Sequence, residues 1–99
     1  MTRARMINST LRHLGIDCSV LDALMQEGAG QLANLQASAR SDDLSEARAE
    51  LHRFRGTVIL LRDSYRKILV REDLPGETAQ GVLSVAQSLD VAAVRVGTA

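Results

Sequence analysis

Residues 43–72 read DLSEARAELHRFRGTVILLRDSYRKILVRE, and their spacing predicts one long helix. Leu44, Ala47, Leu51, Phe54, Val58, Leu61, Tyr65 and Ile68 follow one another at alternating intervals of 3 and 4 residues. Side chains at that interval line one stripe of an α-helix, the narrow buried seam of a helical bundle. Ser41-Asp42-Asp43 forms a turn ahead of it. Asp43, with Glu46 three residues later, has the form of a capping box.

Working outward, three further helices can be read. The first covers about 3–14 and stops at Gly15, a C′ glycine. The second covers about 18–40, with Asp17 or Ser19 as its cap. Its apolar positions are Val20, Leu21, Leu24, Met25, Leu32 and Leu35. Gly28-Ala29-Gly30 weakens its middle, where a kink or local fraying is expected. Leu74-Pro75-Gly76 is a turn. The fourth helix covers about 77–94, carrying Val82, Leu83, Val85, Ala86, Leu89, Ala92 and Ala93, and 94–99 is expected to fray. Short connections make antiparallel neighbours. The expected fold is all-α: a single domain over 1–99, an antiparallel up-and-down four-helix bundle. Three helices are long, and the short first one covers one end.

Ninety-nine residues suit one domain. Phe54 and Tyr65 are the only aromatics, so the core must be aliphatic. Twelve basic and twelve acidic residues give zero net charge, which argues against a general nucleic-acid binder. Cys18 stands alone, so no intrachain disulfide can form, and a reducing compartment fits. The Asp17 carboxylate beside it disfavours a thiolate. No apolar run approaches the roughly 20 residues of a membrane span, and Asn8-Ser9-Thr10 interrupts any signal-peptide core. A soluble cytoplasmic protein is expected, with no membrane partner. The two histidines lie apart without a Cys or carboxylate cluster, so no metal site is expected. There is no Gly-rich phosphate loop, nucleophile elbow or conspicuous carboxylate pair.

At about 100° per residue, the seam turns His52 away from the core and puts Gly56 almost opposite the seam. Arg48, His52, Arg55, Ile59, Arg62 and Arg66 make a second, mostly basic stripe. A glycine inside a helix costs roughly 1 kcal/mol relative to alanine, so a compensating reason is expected. An imidazole that must clear a bulky anion is such a reason. Phosphorylation needs a neutral, accessible ring, and neighbouring Arg⁺ disfavours imidazolium. Arginine also hydrogen-bonds phosphoryl oxygens through its planar fork. A missing side chain at i+4 leaves room for the group and for a partner, which could supply Mg²⁺ and positioning. The plainer reading is an exposed histidine on a solvated face whose arginines pair with Glu46, Glu50 and Asp63. His13, at the C-terminus of the first helix, suits the helix dipole.

His52, Arg55, Gly56 and Thr57 resemble the motif of histidine-containing phosphotransfer (HPt) domains: a helical His, Lys at +3, Gly at +4 and often Ser at +5. The resemblance extends upstream through Leu14-Gly15-Ile16-Asp17, Leu32-Ala33-Asn34-Leu35, Ala37 and Asp43-Leu44, covering roughly residues 11 to 70. Arg55 stands where the family has lysine, and Arg62 where it usually has a glycine that ends or bends the helix. The resemblance implies a monomeric four-helix phosphocarrier of a bacterial two-component phosphorelay, without kinase activity of its own. His52 would be the phosphoacceptor, supported by Arg55, Gly56 and Thr57. Arg48, Arg53, Ile59 and Arg62 would dock response-regulator receiver domains, with a hybrid sensor kinase upstream. No cofactor is implied, since Mg²⁺ would be carried by the receiver. The competing reading is a non-catalytic helical interaction module, an adaptor or degenerate relative, binding through the basic stripe. Nucleic-acid contact through that stripe is disfavoured by the neutral charge.

Overall fold

The turn after α1 and the start of α3 rest on identifiable local chemistry. The computed structural model describes residues 2–98, with side chains for 3–96. Its elements are α1 (Thr2–His13), α2 (Ser19–Arg40), α3 (Leu44–Leu69) and α4 (Gly76–Thr98). α1 ends in a Schellman motif: Ile16 N–H donates to the Leu11 carbonyl and Gly15 N–H to that of Arg12, both at 3.0 Å. Gly15 has φ 81°, which only glycine adopts without strain. Leu11 and Ile16 then meet in the core. The N-cap of α2 is Cys18, which makes no side-chain cap bond, rather than Asp17 or Ser19; the Asp17 carboxylate accepts from Ser19 N–H at 2.9 Å, a bond that holds its carboxyl below the usual range. Asp43 caps α3 by accepting from Glu46 N–H at 3.0 Å.

Three expectations of helix extent are corrected. α2 is continuous through Gly28-Ala29-Gly30. Gly28 is buried where α2 crosses α3, and a Cβ there would lie 3.6 Å from the Thr57 methyl, so packing holds the segment together. α3 stops at Leu69 rather than Glu72. Arg71 N–H turns back to the Ile68 carbonyl, the Arg71 guanidinium clamps Asp73 at 3.0 Å, and Leu74 folds onto the core. α4 does not fray after Val94 but runs to Thr98. Ala93 is buried and Val96 half-buried, so tertiary contact holds the last turns. Ala99 lies outside the described residues.

α3 packs against both α2 and α4, and α1 packs against α4. Residue partners run in opposite directions: Asn8 meets Met25 while Arg12 meets Asp22 across α1 and α2, Arg3 meets Ser84 while Ile7 meets Gly81 across α1 and α4, and Arg55 meets Ala93 while Arg66 meets Asp90 across α3 and α4. The chain is an all-α antiparallel bundle. α1 spans about 18 Å and α3 about 39 Å at 1.5 Å per residue, so the fourth layer covers only one end. The result is an elongated body of 48 × 22 × 17 Å.

The core sits under α1. Tyr65 is wholly buried and donates its hydroxyl to Asn8 Oδ1 at 2.6 Å. Asn8 in turn donates to Met25 Sδ at 3.1 Å and Asp22 Oδ1 at 3.3 Å, so one amide joins α1, α2 and α3. Leu11, Leu21, Val58, Leu61, Val82, Val85 and Leu89 pack around it. The Ile7 side-chain tip of α1 lies over Gly81 of α4, where a Cβ would overlap it unless the tip turned aside. Away from α1 the seam loosens. Leu51 and Phe54 are half-buried, while Leu44 is 63% exposed, as is Val20 on α2.

Burial pushes the Tyr65 phenol up to about 12, against about 10 for an unfolded tyrosine. The folded state therefore keeps that proton longer. Its contribution to stability is present below about pH 10 and lost as the pH rises towards about 12. Tyr65 is the chain's one tyrosine, so phenolate absorbance reads it directly. Absorbance and loss of helical circular dichroism are expected to rise together; phenolate formed near pH 10 with helicity intact would contradict this burial. Tyr65→Phe orphans Asn8 Oδ1 and is expected to cost about 1–3 kcal/mol, read as a drop in melting temperature of roughly 4–8 °C per kcal/mol.

Candidate functional site

His52 projects from the face of α3 turned away from the core. It is exposed, and its ring has no hydrogen-bond or ion-pair partner among the described residues. One turn on, a Cβ added at Gly56 would meet nothing within 4 Å. The imidazole shares a shallow depression of about 450 Å³ with Arg48, Leu51, Arg55 and Val96. α3 supplies four of these residues, and the C-terminal end of α4 closes the wall with Val96.

The expected supporting residues divide. Arg55 is in place, but its Nε donates to the Ala93 carbonyl at 3.4 Å, which draws the guanidinium towards α4. Gly56 leaves open space, as its spacing implied. Thr57 is a correction: it is 4% exposed and donates its hydroxyl to the Arg53 carbonyl at 3.2 Å. It lies on the α2 side of α3, against Gly28, so its hydroxyl cannot serve a group on His52.

The expected docking residues are more dispersed than a stripe. Arg48 is exposed and unpaired among the described residues. Arg53 lies on the opposite flank and binds Glu50 at 2.6 Å. Glu50 is 6% exposed; this bond holds its carboxyl below the usual range and raises the Arg53 guanidinium. Ile59 is a second correction, being half-buried and packed against the core rather than offered to a partner. Arg62 is a third. Its side chain is only 24% exposed, and it bridges Asp63 at 3.0 Å and Asp90 at 3.4 Å. Arg66 binds the same Asp90 at 2.6 Å. Two of the three acids expected to pair with the arginines do so, Glu50 and Asp63. Asp90 of α4 and the Val96 wall were not legible, because a helix's own periodicity does not reveal what a distant helix brings against it.

Elsewhere the polar groups serve local structure. His13 Nδ1 donates to the Ser9 carbonyl at 2.7 Å near the end of α1. The Cys18 thiol is buried and pushed up by desolvation, which suppresses thiolate chemistry. Among the described residues no three of His, Cys, Asp and Glu are grouped to hold a metal ion, and no helix is long and apolar enough to cross a membrane. Beyond the end of α1 a mostly apolar cavity of about 600 Å³ opens between α2 and α4. Met25, Leu32, Phe54, Leu61 and Leu89 line it, and it accounts for the 42% exposure of Leu32.

With nothing near Gly56, Gly56→Ala should stabilise the fold by about 1 kcal/mol through helix propensity, measured by urea denaturation. A loss of stability would mean that the glycine serves packing rather than clearance.

The chain matches no protein-family model, no curated protein and no solved structure.

Proposed function

We propose that the protein is a phosphocarrier. His52 takes a phosphoryl group from a receiver-domain aspartate and passes it to another receiver, as in an HPt domain. The observation that carries this reading is the unpartnered, exposed imidazole beside the open space at Gly56. One ring nitrogen forms the new P–N bond. The P–O bond to the aspartate breaks, and the carboxylate leaves with the electron pair. The receiver's Mg²⁺ and its positioning of the acyl phosphate supply most of the catalysis. This chain supplies an accessible nucleophile, clearance at Gly56 and guanidinium groups that favour the phosphoryl charge.

A second reading has its own support. Thr57 is buried and Arg55 is drawn to Ala93, so two of the three supporting residues are committed to structure. That favours a helical interaction module which docks a receiver-like partner without accepting phosphate. The surface for it is the exposed face of Arg48 and His52.

Mixing the protein with a phosphorylated receiver and Mg²⁺ separates the two. Acid-labile label on the wild type and none on His52→Gln is the outcome expected of a carrier. Gly56→Leu should keep its helicity while transfer falls about tenfold or more, because the added side chain misplaces the approaching group. Equal labelling of wild type and His52→Gln would overturn the carrier. Binding that survives His52→Ala but weakens with Arg48→Glu, with no label, would establish the module instead.

A further inference from the structure

α3 carries six cations around His52 and beyond it: Arg48, Arg53, Arg55, Arg62, Arg66 and Lys67. The bundle commits four of them. Arg53 is bound to Glu50, Arg62 to Asp63 and Asp90, and Arg66 to Asp90. Arg55 directs its Nε–H to the Ala93 carbonyl. Arg48 and Lys67 have no hydrogen-bond or ion-pair partner among the described residues. Lys67 lies fifteen residues beyond His52, about 22 Å along the helix, too far to reach it. Arg48 lies one turn before His52, where surface neighbours on a helix stand about 5–6 Å apart at Cβ.

Direction strengthens the pairing. A helical side chain leans over the turn N-terminal to its own Cα, so the His52 ring leans towards the turn that carries Arg48. Arg48, His52 and Arg55 line the same depression, so what separates the two guanidiniums is their other partners. Leu51 and Val96 form apolar parts of its wall. A free guanidinium offers a planar fork to two oxygens of one phosphoryl group.

We propose that this depression is a seat for a phosphate-like dianion and that Arg48, rather than Arg55 at the +3 position, is its principal cationic partner. The inference rests on the carrier reading for its purpose and on the side-chain geometry for its residues. Arg55 acts differently, since its Nε–H is turned to the Ala93 carbonyl of α4 at 3.4 Å. Arg48 has its whole guanidinium fork free, whereas Arg55 keeps its Nε–H on the Ala93 carbonyl and has only its terminal amino groups to offer.

The test is a titration of the full chain with inorganic phosphate, followed by NMR of the His52 ring, with His13 as an internal reference. The wild type is expected to show a saturable shift at His52 and none of that size at His13. Arg48→Gln should weaken binding about threefold, Arg48→Lys should recover part of the loss, and Arg55→Gln should cost less than Arg48→Gln. Helical circular dichroism on each variant checks the fold; Arg48 is on the solvent face and its replacement leaves the core untouched. An unchanged affinity in Arg48→Gln, a larger loss in Arg55→Gln, or no saturable shift at His52 in the wild type would overturn the proposal. Because no receiver takes part, the two ideas fail separately. A seat that binds phosphate in a protein that accepts no label from receivers overturns the carrier alone. Label on His52 with Arg48 irrelevant to phosphate binding overturns the seat alone.

Discussion

The hydrogen bond from Tyr65 to Asn8 is the point from which the rest of the molecule is organised. Both groups are buried, and a buried polar atom without a partner costs about 1–3 kcal/mol. The pair therefore forms only when α1 lies across α3 in one register. Asn8 adds contacts to Asp22 and Met25, which bring α2 into the same junction. The Schellman turn at Gly15 returns the chain at the required angle, and the Ile7 side chain of α1 lies over Gly81 of α4. Four helices thus share a core at one end of the body.

The other end follows from what α1 does not reach. α2, α3 and α4 continue beyond it as a three-helix assembly with a thinner core. Phe54 and Leu51 are half-buried there, and the apolar cavity beside Leu32 opens. His52 belongs to this end, on the outer face of the central helix. That placement separates two demands on α3. Its inner seam builds the fold, while its outer face is free of packing duties and can keep a glycine with open space around it.

The bundle also edits the charge on α3. Asp90 arrives from α4 and takes both Arg62 and Arg66; the Ala93 carbonyl takes Arg55; Glu50 takes Arg53. Of the six cations on α3, three are ion-paired after folding: Arg53, Arg62 and Arg66. Among the described residues Lys67 and Arg48 keep no partner, and of the two only Arg48 stands next to the unpartnered imidazole. Exposed charges there act by position more than by long-range attraction, since they are screened within about 8–10 Å at physiological salt.

Local sequence was enough to determine the four helices, the Gly15 turn, the Asp43 cap, the inward seam through Val58, Leu61 and Tyr65, and the outward direction of His52 and Gly56. Each of these depends on residues within a turn or two of one another, where periodicity and capping act directly. Tertiary structure alone decided the rest. It buried Thr57 and half-buried Ile59, kept α2 unbroken at Gly28, carried α4 to Thr98 and neutralised Arg62 and Arg66. Those outcomes depend on partners 24 or more residues away, such as Asp90 for Arg66 and Ala93 for Arg55. One helix's repeat shows which side faces inward. What stands on each flank, and so which charges stay free, depends on how neighbouring helices are docked.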